Sequence, residues 1–295
     1  MSNLVFGGII IDKVGGEKMY FLKGALLKWA FLGSPDFYIR KLSSLAAKLP
    51  QEKWSYGKNT DYGILQNYLN FTFQKLQDER EKALEEDRQS FIYIGDDSAC
   101  FNTGLFDNYW QPIYFYCVKN TRPGYQAWIF KEFSTNYELT GTGIPTALVS
   151  NLRRANYFDD PSALIFNVNL PIIPQWDHIL DDEENYNRIP EHIRKEGKQF
   201  CHDKIEIAIT RVKDRIAANY KTVVPQYYWD RNNNQGRIQL LAPLYLTGSI
   251  KPELALVLSL APDKSAYLGH TCLTTEWAYN NARLIARPDS DWLQP

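Results

Sequence analysis

The feature of this sequence that most constrains its fold is the order in which helix-type and strand-type hydrophobic patterns follow one another. Apolar residues at three- and four-residue spacing predict helices over 21–30, 37–49, 61–87, 147–155, 189–218 and 275–286. Runs of β-branched and aromatic residues predict strands over 91–94, 99–102, 113–118, 127–133, 236–246, 253–260 and 267–274. A parallel sheet would require strands and helices to alternate along the chain, and here they do not. We therefore predict an α+β fold, with a helical N-terminal part followed by mainly antiparallel sheet with flanking helices.

The ends of this pattern suggest how the chain is organised. Residues 1–17 carry one short apolar run between glycine pairs, which predicts an N-terminal arm or an edge strand. Residues 18–295 are expected to form a single α+β domain, since a chain of this length buries a large core without disulfides. The stretch 171–190 is rich in Pro, Asp, Glu and Asn. It is either a surface loop or a hinge that divides the domain into two lobes. No internal repeat is visible.

Charge and cysteine content narrow the functional class. With 33 basic and 34 acidic residues the formal net charge is −1, which argues against broad, sequence-blind coating of nucleic acid. A local basic patch is compatible with this balance. No apolar stretch reaches the roughly 20 residues that cross a bilayer, and no signal peptide is visible. The four cysteines form no C-x-x-C pair, as expected of reduced thiols. We therefore expect a cytoplasmic protein without a membrane partner.

Common catalytic motifs are absent from the sequence. It contains no G-x-x-x-x-G-K-[ST] phosphate loop and no G-x-G-x-x-G after a strand. Neither H-E-x-x-H nor G-x-S-x-G occurs, and the spacing of the four histidines predicts no zinc site. Function must therefore be sought in less regular clusters, where Asn, Arg, Lys and aromatic residues stand beside turn-forming residues.

Two such clusters lie in the first 161 residues. At the end of a predicted strand, Asn102, Thr103 and Gly104 can direct an amide, a hydroxyl and a backbone N–H at one anionic group. The alternative is a hairpin stop whose polar groups satisfy only the local backbone. In the second cluster, 153–161, an arginine guanidinium could bind phosphate through two parallel hydrogen bonds, and an aspartate could act as a base or a metal ligand. Its alternative is a turn or helix cap formed by the paired Asp residues.

Two further clusters lie after the long predicted helix. In 219–228, Lys221 supplies a point charge, and Tyr220, Tyr227 and Tyr228 supply faces on which bases can stack. The alternative is a helix terminus whose tyrosines pack on the sheet edge. In 275–285 two adjacent asparagines lower helix propensity, which indicates a binding role or hydrogen bonds to a neighbouring loop.

Taken together, four runs of residues resemble a bacterial family of unknown function. They are 101–105 (FNTGL), 154–161 (RANYFDDP), 219–228 (NYKTVVPQYY) and 278–285 (AYNNARLI). The family's domain is often fused to LOTUS-type winged-helix or cold-shock modules, and the resemblance covers about residues 25–293. Because those modules bind RNA, the resemblance implies a role on RNA or nucleotides.

The four clusters lead to one hypothesis, a single polar and aromatic cleft for a phosphate-bearing RNA or nucleotide. The predicted ligand-binding residues are Asn102, Thr103, Asn156, Tyr157, Tyr220, Gln226, Tyr227, Asn281 and Arg283. For phosphodiester or phosphoryl chemistry, Lys221 and Arg154 would stabilise transition-state charge. Asp159 or Asp160 would act as base or ligand of a metal, for which Mg²⁺ is the candidate. The alternative is a non-catalytic RNA-binding or protein-interaction scaffold.

Overall fold

A computed structural model describes residues 5–6, 9–14, 17–22, 24–57, 61–230, 235–290 and 292–294. The chain forms two compact units, Met1–Asn156 and Tyr157–Pro295. Both contain helices and mainly antiparallel sheet, so the predicted α+β class is confirmed. Residues 171–190 lie inside the second unit. Whether residues 18–295 act as one domain stays a prediction.

The first unit begins with strands in the region where the sequence predicts an arm or an edge strand, and then a helix. β1 (Val5–Phe6), β2 (Ile9–Val14) and β3 (Glu17–Leu22) pair in an antiparallel sheet. The predicted helix over 21–30 was therefore wrong at its start, because Phe21 and Leu22 end β3 and only α1 (Ala25–Trp29) is helical. The other parts of the predicted arm, 1–4, 7–8 and 15–16, lie outside the described residues.

A second sheet forms the body of this unit. After β4 (Ala30–Phe31) come the helices α2 (Pro35–Lys48) and α3 (Gly63–Lys82) and a 3₁₀ turn at Glu85–Ser90. Then follow β5 (Ile92–Ile94), β6 (Ser98–Phe106), β7 (Pro112–Lys119), β8 (Trp128–Thr135), α4 (Asn136–Leu139) and α5 (Thr146–Ser150). The strand order is β4-β8-β7-β6-β5, parallel between β4 and β8 and antiparallel elsewhere.

Alternating side chains of this sheet fill two different cores. On one face Phe101 and Phe115 stack with centroids 5.0 Å apart, and Phe73 of α3 lies 5.1 Å from Phe101. On the other face Cys100 and Tyr114 pack with residues of α4 and α5. Period-two alternation thus places the sheet between two helical layers.

The second unit contains several short elements before its sheet. A 3₁₀ turn at Pro161–Leu164, β9 (Ile172–Pro174) and a π-helical turn at Asp177–Asp181 precede α6 (Glu183–Tyr186) and α7 (Glu191–Arg194). Then follow α8 (Lys198–Ala218), a 3₁₀ turn at Tyr220–Thr222, β10 (Val224–Asp230), β11 (Gln235–Leu244), β12 (Leu254–Leu260), β13 (Tyr267–Leu273) and α9 (Thr275–Ala282). The strand order is β10-β11-β12-β13-β9, and only the β13–β9 pairing is parallel.

Helices cover both faces of this sheet as well. Ile205 and Val212 of α8 belong to one core with Leu240, Leu256 and Leu258, while α9 packs on β10, β12 and β13. The predicted helix 189–218 is two helices. Gly197 separates them at φ +96°, a conformation that favours glycine.

The two units repeat one order of elements. In each, a short edge strand is followed by helices and then by antiparallel strands in sequence order, the last of which lies parallel to the edge strand. A helix then begins at once, capped by the threonine hydroxyl of Thr135 or Thr274. Different hydrophobic residues can specify the same topology. The two units therefore share an order of elements without sharing a visible sequence repeat.

Candidate functional site

The Asn102 cluster lies within β6 of the first unit, where the pairing with β7 shifts register. The Asn102 amide donates to the Leu152 carbonyl at 3.2 Å and accepts from Gly104 N at 2.9 Å. The Thr103 hydroxyl donates to the Ile113 carbonyl at 2.6 Å and accepts from Leu105 N at 3.2 Å. Both side chains are buried. These hydrogen bonds stabilise the irregular register between β6 and β7, and the one to Leu152 reaches beyond the local backbone that the hairpin alternative invokes.

Arg154 and Asn156 also belong to the first unit and have different surroundings. The Arg154 guanidinium is exposed and lies 5.4 Å from the centroid of the Phe106 ring. Asn156 N donates to Glu79 Oε1 at 3.0 Å. Burial raises the pKa of the Glu79 carboxyl, although Lys75 and the Asn156 N–H oppose this shift.

The paired aspartates lie in the second unit, at the start of the 3₁₀ turn Pro161–Leu164. Asp160 accepts from Ser162 N at 2.8 Å and from Ser162 Oγ at 2.6 Å, and these hydrogen bonds lower the pKa of its carboxyl. Asp160 therefore serves as a cap, as the alternative proposed. Asp159 precedes it on the exposed surface.

Tyr227 and Tyr157 pack against each other. Their ring centroids lie 4.7 Å apart in an edge-to-face arrangement, and Tyr227 is only 3% exposed. Tyr220, by contrast, is 64% exposed. Of these predicted stacking residues, Tyr220 presents its ring to solvent.

Gln226 and Asn281 take part in a chain of hydrogen-bonded amides, of which Gln226 and Gln239 are buried and Asn281 is half-buried. Asn281 Nδ2 donates to Gln226 Oε1 at 3.2 Å, and Gln226 Nε2 donates to Gln239 Oε1 at 3.0 Å. Gln239 Nε2 then donates to Ser259 Oγ at 3.1 Å. The chain links α9 to three neighbouring strands. Arg283 follows at the end of α9 and is 9% exposed.

A pocket of about 240 Å³ lies in the second unit beside the predicted residues Tyr220 and Lys221. Its remaining walls are formed by Leu164, Ile165, Val223, Val224, Pro225, Ala282, Ile285, Ala286, Arg287, Pro288, Asp289 and Ser290. The lining is largely apolar, with cationic and phenolic side chains from Lys221, Arg287 and Tyr220. Leu164 comes from the turn that Asp160 caps. This mixture suits a ligand with a flat apolar part and an anionic group.

Hydrogen bonds fasten the C-terminal segment over the turn Tyr220–Thr222. Ser290 Oγ donates to the Lys221 carbonyl at 2.6 Å, and Trp292 Nε1 donates to the Thr222 carbonyl at 2.9 Å. Lys221 Nζ lies 3.5 Å from Asp289 Oδ2. Both side chains are more than half exposed, so this ion pair can open at little cost when an anion approaches Lys221.

The sequence clusters omitted Arg287 and Asp289, which line the pocket after α9. The signal was the run Arg287-Pro288-Asp289, in which Pro fixes the chain beyond a helix. A second omission is His270, which lies inside β13. Its Nδ1 lies 2.6 Å from Gln175 Oε1, and burial, together with Arg237 and His178, lowers the pKa of the imidazole.

In the part of the chain that the structure describes, no three His, Cys, Asp or Glu side chains come together as a metal site would require. No described helix has the length and apolar character that would let it span a membrane. The Mg²⁺ prediction stays a prediction.

Comparison with known proteins assigns a family. The family model DUF3825, described as a domain of unknown function, matches residues 45–292. The chain belongs to the DUF3825 family. This confirms that the resemblance was to a family of unknown function, and the DUF3825 segment contains every residue that lines the pocket. No curated protein and no solved structure matches the chain.

The predicted site residues are divided between the two units. Asn102, Thr103, Arg154 and Asn156 belong to the first. The second contains Tyr157, Asp159, Asp160, Tyr220, Lys221, Gln226, Tyr227, Asn281 and Arg283. Within the second unit, Tyr220 and Lys221 line the pocket, whereas Gln226 and Asn281 belong to the amide chain. The single cleft stays a prediction.

Proposed function

We propose that this DUF3825 protein binds RNA or a nucleotide, and that it holds a phosphate group in the pocket of the second unit. The observation that carries the proposal is the joint lining of one pocket by Lys221, Arg287 and the exposed Tyr220. Lysine and arginine bind phosphate oxygens, and an exposed tyrosine ring can stack on a base. The apolar side chains that line the pocket favour contact with the flat face of a base over contact with water.

The size of the pocket limits how much ligand it holds. At about 240 Å³ it is smaller than the roughly 300–1,000 Å³ of pockets that enclose drug-sized ligands. We therefore propose capture of one nucleotide unit, such as an RNA end or a mononucleotide. Such local capture fits a formal net charge of −1. Fusion of related domains to LOTUS or cold-shock modules, expected from the resemblance, would fit this role, as would a cytoplasmic location.

We further propose that any chemistry at this site is hydrolysis or transfer at a phosphodiester or phosphoryl group. Lys221 would stabilise the charge that develops on phosphate oxygens. Asp289, 3.5 Å from the Lys221 ammonium, is the nearby carboxylate that could accept a proton or hold a metal ion. The predicted catalytic residue Arg154 lies in the first unit, and Asp160 already caps a turn. The competing proposal is binding without catalysis.

One experiment separates these proposals. Labelled RNAs and mononucleotides are incubated with the protein in Mg²⁺ or in EDTA, and both binding and products are measured. Lys221→Ala and Arg287→Ala should each weaken binding about 10- to 140-fold, since a hydrogen bond to a charged group contributes roughly 1.5–3 kcal/mol. Lys195→Ala is the matched control, because Lys195 also forms an exposed ion pair, at 3.0 Å from Glu191.

Each outcome has a defined meaning. Cleavage or dephosphorylation that Lys221→Ala abolishes supports the enzyme. Binding without products supports the non-catalytic alternative. If the unaltered protein neither binds nor changes any of these ligands, the proposed function is wrong.

A further inference from the structure

The loop that joins β6 to β7 carries two highly exposed aromatic rings in the first unit. Tyr109 is 84% exposed and Trp110 is 79% exposed. What distinguishes them from singly exposed rings is that they are adjacent in the chain, and exposed apolar patches mark interaction sites. The loop between Phe106 and Pro112 contains no aliphatic side chain beside them, so the exposed apolar surface is entirely aromatic.

Internal hydrogen bonds give this loop a defined shape. Asp107 Oδ1 accepts from Tyr109 N and from Gln111 N, each at 2.8 Å. The Asp107 carbonyl accepts from Trp110 N at 3.1 Å, and Asp107 N donates to the Gln111 carbonyl at 3.0 Å. The Asp107 carboxylate therefore organises the loop. Rings held on an ordered loop lose less conformational entropy when they bind.

Trp110 adopts a conformation that disfavours its own side chain. Its φ is +62°, in the left-handed region that residues with a bulky side chain rarely enter. Glycine or asparagine would fit this turn with less strain. A tryptophan that stays both strained and exposed is better explained by what its ring contacts than by the stability of the loop.

A cation and the Trp110 ring lie beside the same phenylalanine, Phe106. The Phe106 centroid is 6.1 Å from that of Trp110, and the Arg154 guanidinium is 5.4 Å from the Phe106 ring. Among the described residues, no carboxylate forms an ion pair with Arg154, whereas its neighbour Arg153 lies 3.7 Å from Asp87. Arg154 and Trp110 thus flank the Phe106 ring, and the exposed guanidinium places a positive charge near the exposed indole.

We propose that Tyr109, Trp110 and Arg154 form a stacking platform for the unpaired bases of single-stranded RNA. Flat rings stack on any base, and a guanidinium can either extend the stack or pair with a phosphate. The exposed guanidinium beside these rings adds the charge that a phosphate backbone requires, so the loop matches a single strand in both its bases and its phosphates. The choice of RNA rests on the proposed function. The platform itself uses residues of the first unit, whereas the pocket residues belong to the second.

Fluorescence anisotropy with single-stranded oligonucleotides tests the platform. The probes are labelled rU and rA strands of about twelve nucleotides, within the roughly 4–16 nucleotides that single-strand sites cover, and a blunt RNA duplex of equal length. Trp110→Ala should weaken single-strand binding about 5- to 140-fold, which corresponds to ~1–3 kcal/mol for one stacked base at ~1.4 kcal/mol per tenfold. Tyr109→Ala and Arg154→Ala should weaken it as well.

Matched variants separate stacking from general effects. Tyr125→Ala and Arg122→Ala alter an exposed tyrosine and an exposed arginine in the loop between β7 and β8, and should leave the affinity within twofold. Trp110→Gly removes the ring and relieves the left-handed conformation, so it should lose RNA affinity without losing stability. Trp110→Phe should retain much of the affinity.

The result is read separately from that of the pocket. If mononucleotide binding requires Lys221 and is unchanged in Trp110→Ala, the pocket functions in that variant. Any loss of single-strand binding in Trp110→Ala is then due to the platform. Single-strand binding that needs Trp110 without any mononucleotide binding supports the platform and rejects the pocket. Equal single-strand affinity in Trp110→Ala and the unaltered protein overturns the platform. So does an equal loss in Tyr125→Ala, or a failure of the unaltered protein to bind either strand, which would leave the loop to a protein partner.

Discussion

Replacing Gln226 by leucine separates a structural role from a ligand-binding role. Gln226 is 1% exposed and takes part in two hydrogen bonds, donating to Gln239 Oε1 at 3.0 Å and accepting from Asn281 Nδ2 at 3.2 Å. Leucine has a similar size but supplies neither partner. The variant therefore leaves a buried carbonyl oxygen and a half-buried amide without a protein partner.

The expected loss of stability follows from these two groups. Each polar group left unpaired in the interior costs about 1–3 kcal/mol, and the apolar leucine regains part of it. We expect Gln226→Leu to lower the free energy of unfolding by about 1–3 kcal/mol. Gln226→Leu/Gln239→Leu removes donor and acceptor together. Its loss should be about 1–2 kcal/mol smaller than the sum of the two single losses.

Urea unfolding followed by circular dichroism measures these differences. Gln199→Leu is the control, because Gln199 lies on the exposed surface of α8 and its replacement should change stability by less than about 0.5 kcal/mol. RNA affinity is measured on the same variants. Unchanged stability in Gln226→Leu with a tenfold loss of RNA affinity would refute the structural role and restore the ligand-binding role predicted from the sequence. Additive losses in the double variant would refute the coupling.

Two further predictions concern a close contact and a buried titrating group. A Cβ built at Gly236 would lie 1.7 Å from Tyr227 Oη and 2.1 Å from the ring carbon beside it, so Gly236→Ala should destabilise the protein by roughly 1–3 kcal/mol in thermal unfolding. A variant that melts at the original temperature would contradict this packing. The imidazole of His270 has its pKa lowered by burial and by the nearby Arg237, so the unfolded chain takes up its proton first as pH falls below about 6.5. The stabilisation that the neutral His270 provides is therefore complete above that pH. As pH falls towards the lower pKa of the folded state, the free energy of unfolding decreases by up to ~1.4 kcal/mol per pH unit. Urea unfolding at several pH values between 5 and 7 measures this effect, and the free energy of unfolding of His270→Gln should depend less on pH than that of the unaltered protein. An equal pH dependence in the two proteins would argue against this role of His270.

Local patterns predicted most of the helices and strands. The helix predicted over 37–49 is α2, for which Ser34 accepts from Phe37 N and Pro35 occupies the first turn. The strands predicted over 236–246 and 253–260 are β11 and β12. In such segments the spacing of apolar residues reports directly on the buried face. The repeated topology could not be predicted in this way, because strand order depends on contacts between distant residues.

Burial also decides which residues of a polar cluster face a ligand. Tyr220 and Tyr227 stand in the same sequence run, yet one is 64% exposed and the other 3% exposed. The difference arises because Tyr220 belongs to a 3₁₀ turn, whereas Tyr227 lies within β10. The place of Arg287 in the pocket could not be predicted from local sequence, because its neighbourhood is set by long-range contacts such as the hydrogen bond between Ser290 and Lys221, 69 positions apart.

Recognition of phosphate by the pocket is the central claim, and calorimetric titration tests it most directly. A nucleotide and the matching nucleoside without phosphate are titrated into the protein and into Lys221→Ala/Arg287→Ala. We predict that the protein prefers the nucleotide by at least about tenfold, and that the double variant loses this preference while its affinity for the nucleoside stays within twofold. Equal affinity of the unaltered protein for the two ligands, or an undiminished preference in the double variant, would contradict the claim.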